Sequence, residues 1–169
     1  MKTAILLLFL LINSFFGKSE QSWINTRISS TVTVSFPSKP EHQWSKKETL
    51  YAYATDQVSL TVSVKALSEH LELTPNNQRS ILEGAVHGFS KNQGTVLYSN
   101  TDIILGTTPV KEIHFQVKHP MHTSCTTGYT RYFVSGRALY TIQCFFLVMK
   151  NEQGEQVKNL FFNSINISM

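Results

Sequence analysis

The residues with the most chemistry to offer sit in one short stretch, His119-Pro120-Met121-His122-Thr123-Ser124-Cys125. Two imidazoles, a thioether and a thiol at this spacing form a donor set for a soft or borderline metal such as copper or zinc. In that reading His119, His122 and Cys125 are the ligands. Cys125 also has a competing partner. The chain contains two cysteines, Cys125 and Cys144, and an even count in an oxidising compartment suits a disulfide. A bridged Cys125 is no thiolate ligand, so the two readings exclude each other. An ordinary exposed loop is the plainer account of the same stretch.

Other chemistry leaves no local mark. There is no G-x-S-x-G elbow to expose a nucleophile at a strand-to-helix turn. There is no phosphate-cradling glycine loop and no H-E-x-x-H zinc helix. The acidic residues are scattered, without a pair suited to acid/base work, and no cofactor is implied. The expectation is a protein that is not an enzyme. Its 15 Lys and Arg and 11 Asp and Glu are dispersed, and Lys46-Lys47 is the longest basic run. Without a basic stripe interleaved with aromatics, nucleic-acid binding is not expected.

The elements that must position the candidate residues are organised by Tyr129–Val148. This stretch reads as two strands joined by a tight turn at Ser135-Gly136, where glycine accepts positive φ at no steric cost. That register sets Val134 against Arg137, Arg131 against Tyr140 and Tyr129 against Ile142. It sets Thr127 opposite Cys144 and Cys125 opposite Phe146, one diagonal step short of a bridge. A bulge at Gly128 would close the gap. The second strand is apolar on both faces, so it belongs in the middle of a sheet covered on both sides.

Earlier in the chain, Val32, Val34 and Phe36 alternate within a first strand, residues 31–36, which Pro37 and Pro40 end. Residues 41–47 read as a loop in which Trp44 lids the core. Residues 49–54 and 58–66 form a hairpin turning at 55–57. Thr74 and Pro75 are helix-start residues. Ile81, Leu82, Ala85, Val86 and Phe89 then draw one apolar stripe, with His87 at its margin. Residues 95–98 and 102–105 read as two short strand pieces. Residues 110–118 follow as a strand with Ile113, Phe115 and Val117 inside and His114 outside. A closing helix, 155–165, puts Val157, Leu160, Phe161 and Ile165 on its buried stripe. Strands, helix, strands, helix with hairpin connections give an α+β domain. The expected architecture is an antiparallel sheet of about six to seven strands with helices packed on it.

The chain begins with Lys2 and an apolar run from Ala4 to Ile12, followed by Gly17-Lys18-Ser19. This is the pattern of a cleaved secretory signal over residues 1–19. Residues 20–30 read as a linker or an ordered edge, and 31–169 as a single domain. Removal of the signal takes Lys2 and Lys18 with it and leaves no segment apolar enough to span a membrane. The expected location is the periplasm or the extracellular space.

Four stretches carry a resemblance. They are Val34-Ser35-Phe36-Pro37-Ser38-Lys39-Pro40, the Tyr51/Tyr53 strand with the helix after it, Arg131-Tyr132-Phe133-Val134-Ser135-Gly136-Arg137-Ala138-Leu139-Tyr140, and Phe161-Phe162-Asn163-Ser164-Ile165. Together they resemble small exported bacterial proteins of the PsbP/Mog-type fold. The resemblance implies an antiparallel sheet between helices. It also implies an accessory binder, since PsbP supports photosystem II and the Mog-type protein binds Ran. No contact residue of either matches here. The expected function is therefore an exported, non-enzymatic binding or accessory protein whose partner is a protein or an envelope component. The alternative is a metal-handling protein using His119, His122 and Cys125.

Overall fold

Alternation between apolar and small polar residues places the strands. A computed structural model describes residues 22–46, 48–91, 94–118, 125–147 and 152–168. In chain order the elements are β1 (Ile24–Arg27), β2 (Val32–Phe36), β3 (Glu41–Trp44), β4 (Glu48–Ala54), β5 (Val58–Ala66), α1 (Pro75–Ser90), β6 (Thr95–Leu105), β7 (Thr108–Lys118), β8 (Cys125–Ser135), β9 (Ala138–Phe146), α2 (Glu152–Asn163) and β10 (Asn166–Ile167). Seven strands form one sheet in the order β3-β4-β5-β9-β8-β7-β6, and a smaller sheet has the order β1-β2-β10. The pairings within both sheets are antiparallel. The fold is α+β, with helices against a seven-stranded antiparallel sheet. Residues 1–19, expected from the sequence to be a signal, lie outside the described residues.

The β8–β9 hairpin is central, as its two apolar faces require. On one face Tyr140, Ile142, Cys144 and Phe146 join Leu60 and Val62 of β5. The small sheet covers this face with Val32, Val34 and Phe36, and α2 covers it with Phe161 and Phe162. On the other face Leu139 and Phe145 lie with Ile113 and Phe115 under Leu82 and Val86 of α1. Thr74 caps that helix, its Oγ1 accepting from the Asn77 amide at 3.2 Å.

Several expectations are corrected. The hairpin turn is Gly136-Arg137, with Ser135 opposite Ala138 and Tyr129 opposite Cys144. Gly136 takes φ 55° as the first turn residue, where such turns need positive φ. Pairing slides by two residues from the expected register. A slip of two keeps every side chain on its face, where a slip of one would invert them.

The same slip moves Cys125 away from Cys144. Cys144 now faces Tyr129, four residues along β8 from Cys125, or roughly 13 Å at the usual rise per residue. That exceeds disulfide reach, and the Cys144 thiol is free. Gly128 does not bulge. It pairs in register with Phe115 and Phe145, and its missing side chain lets those two rings meet edge to face at 5.3 Å.

Trp44 is not a lid. It ends an edge strand and is 75% exposed, beside an open hollow of about 180 Å³ over Val64, Ala66 and Ala138. The two expected strand pieces at 95–105 are one strand with an irregularity between Leu97 and Ser99. In α2 the buried residues are Phe161 and Phe162, and Leu160 is exposed.

Candidate binding surface

Beyond the cover of α2, the same face of the large sheet continues onto β7 and β6. Register builds an aromatic row there. Cys144 of β9 faces Tyr129 of β8, and Tyr129 faces His114 of β7. On β6 the regular pairing Leu97↔Phe115 gives way to Ser99↔His114, so Tyr98 and Ser99 together oppose one residue. This is a bulge, and bulges re-aim side chains. Tyr98 is turned onto His114, with ring centroids 5.0 Å apart. His114 stacks on Tyr129 at 4.3 Å with planes 5° apart, and Tyr129 meets Phe146 edge to face at 6.3 Å. The row runs from buried Phe146 to Tyr98, which is 54% exposed. The Tyr98 hydroxyl donates to Gln116 Oε1 at 2.7 Å, and Val96 stands exposed next to it.

Helix α2 borders the row with charge. Lys158 Nζ lies 4.3 Å from the Tyr129 ring centroid, an attractive position for a cation over a π face. The same ammonium is 2.9 Å from Glu155 Oε2. Cys144 lies beneath this pair. Burial pushes its thiol up to about 12; Lys158 opposes that shift and Glu155 adds to it. Desolvation dominates, so the thiol stays protonated and packs as a small apolar group.

Further along the helix, Arg131 donates through Nε to Glu112 Oε2 at 2.7 Å and through Nη1 to the Phe162 carbonyl at 3.1 Å. Its guanidinium also covers the Phe162 ring at 4.5 Å. One side chain thus ties β7, β8 and the last turn of α2 together, and a cation suits that helix end.

Of the residues singled out from the sequence, His119 and His122 lie outside the described residues. Cys125 is placed only by its backbone, at the start of β8 opposite Lys118. Cys144 is placed in the core and not in a site. The aromatic row was missed, since His114 read as a solvated residue and the Tyr98 bulge breaks the alternation. The signal that could have found it is the spacing of aromatics at positions 98, 114 and 129 on neighbouring strands.

No family model matches the chain, and no curated protein matches it in sequence. Solved structures do match in fold. LpqN, involved in cell envelope biogenesis of Mycobacterium tuberculosis, aligns with TM-score 0.59 at 10% identity, over 94% of this chain and 97% of its own. Cyanobacterial PsbP (CyanoP) from Synechocystis sp. PCC 6803 aligns with TM-score 0.57 at 10% identity, over 89% and 95%. The Ran-binding protein Mog1p of Saccharomyces cerevisiae aligns with TM-score 0.49 at 9% identity, over 88% and 96%. The fold is of the PsbP/Mog type. At these identities the likeness is one of fold, and sites do not travel with folds.

Proposed function

We propose that this protein is an exported accessory protein, without catalytic activity, that binds a protein partner or envelope component through the flank formed by β6, β7 and α2. The observation that carries this reading is Tyr98. An aromatic ring that is more than half exposed contributes little to a core. Here it is nevertheless held in one place by a hydroxyl bond to Gln116 and by contact with His114. Fixed, amphipathic aromatics give large contact area at low entropic cost and recur as binding anchors. Export is supported by Lys2 and the apolar run Ala4–Ile12. LpqN's part in envelope biogenesis supports a role of that kind. No helix among the described residues is long and apolar enough to cross a membrane.

The test is site-specific photo-crosslinking in the producing cell. A photoreactive phenylalanine at position 98 is expected to give one discrete adduct, and the same group at Lys65, on the far side of the sheet, none. Equal, diffuse labelling from both positions would sink the reading. So would a turnover activity of the purified protein that a point substitution abolishes.

A further inference from the structure

Among the described residues, strand β6 closes the large sheet on one side and pairs only with β7. It is eleven residues long, whereas β3, at the opposite edge, has four. Long open edges carry unpaired backbone donors and acceptors, and proteins usually blunt them with lysine, proline or a bulge. Strand β6 has no lysine or proline, and its bulge, between Leu97 and Ser99, leaves the run from Ser99 to Leu105 regular. Its single charge is Asp102, with a side chain 79% exposed although Lys111 Nζ lies 2.9 Å away. Past the bulge, residues 99–105 pair regularly with β7, and Ile104 in this run is 72% exposed.

We infer that residues 99–105 of β6 receive an extended segment of a partner protein as an eighth strand, with a basic side chain opposite Asp102 and an apolar one opposite Ile104. This deepens the proposed binding role and rests on it. Backbone bonds along an edge supply affinity, and alternate side chains supply selectivity. Opposite charges directly across a strand pair attract, and apolar pairs pack.

A second copy of this chain fits the edge poorly. Pairing the whole strand with itself centres on Asn100 and sets Val96 across from Ile104. Residues directly opposite share a face. Val96 lies opposite Gln116, and Ile104 lies opposite Pro109. These β7 positions have opposite parity, so the bulge has put the two exposed apolar residues on different faces. A partner strand of independent sequence carries no such mismatch.

The test is amide hydrogen exchange on the full exported chain with a synthetic probe. The probe is the acetylated, amidated peptide TVVKTTT, written to run antiparallel to residues 105 to 99. Saturating peptide is expected to slow exchange in 99–105 by roughly tenfold and to leave β3 unchanged. Thr101→Lys, which places a charge on the edge, and Asn100→Pro, which removes a donor, should each abolish the protection. The peptide TVVETTT should bind more weakly. Unchanged exchange at 99–105 would overturn the inference. So would protection that appears without peptide and grows with protein concentration, which would mark a second copy. Crosslinking from position 98 that survives in Thr101→Lys would remove strand addition while leaving the binding role in place. Loss of that crosslinking in Thr101→Lys supports both.

Discussion

At Gly128 an added Cβ would meet the Cys144 carbonyl oxygen at 2.7 Å and Phe115 Cζ at 2.9 Å. The first is backbone and the second is a ring wedged between Phe89 and Phe145, so neither gives way cheaply. Gly128→Ala is expected to destabilise the protein by about 1–3 kcal/mol, the usual cost of overpacking. In a thermal melt that is a drop of several degrees, since about 1 kcal/mol moves a domain of this size by about 2–4 °C. Cys144 makes a second prediction. With its thiol raised to about 12 and no exposure, iodoacetamide at pH 8 should label it only after denaturant is added, as read by peptide mass. A thiol pKa raised above its ordinary 9.0 contributes stability that is complete below 9.0 and lost as pH climbs toward about 12. Burial lifts the Tyr132 hydroxyl in the same direction. Cys144→Ala should therefore flatten part of the alkaline loss of stability, leaving the part due to Tyr132. At this scale the sequence was least legible. The cysteine pair depended on a register two residues out, and Trp44 depended on whether 41–44 was loop or edge. The first is decided by where the turn falls, at Gly136-Arg137 and not one residue earlier, and the second by which strand lies next to β4; the local pattern contains neither.

Among the elements, α1 was legible because each of its signals is local. Thr74 and Pro75 start it, and the stripe from Ile81 to Phe89 spans one face. Strand β6 was not, for a physical reason. The bulge at Tyr98 inverts the side-chain parity midway, so neither half alternates in phase with the other. The polar run Ser99-Asn100-Thr101 then reads as a turn. Helix α2 was found but rotated. Its inward positions are fixed by Arg131 and Lys158 gripping Phe162 and Tyr129, and the first of these contacts spans 31 residues of sequence. Arg131→Ala removes a partly buried ion pair, a bond to the Phe162 carbonyl and a ring contact together. The expected loss is about 2–4 kcal/mol, since such charge-assisted bonds contribute more than neutral ones. Chemical denaturation should report it, with faster hydrogen exchange in α2. Unchanged stability would show that Arg131 does not hold the helix.

For the whole molecule, hydrophobic patterning was enough to give the large antiparallel sheet and its two helices. The double-sided apolar character of β9 correctly placed it at the centre. The second sheet was invisible. Strands β1 and β10 are short and mostly polar, and β10 reaches β2 from 130 residues away, where the Ser168 amide donates to the Thr31 carbonyl at 2.8 Å. With α2 the second sheet covers one face of the large sheet out to Val110 of β7, where Ile103 and Leu105 of β6 pack against the same core, and leaves the aromatic row from His114 to Tyr98 running out to the edge at β6. The proposed function has this flank bind a partner through Tyr98. The most direct measurement is the affinity of the partner crosslinked at position 98 for the unaltered protein and for Tyr98→Ala, with melting temperatures taken in parallel. At least a tenfold loss of affinity is expected, about 1.4 kcal/mol or more, with the melting temperature unchanged because Tyr98 lies outside the core. Equal affinities would contradict it.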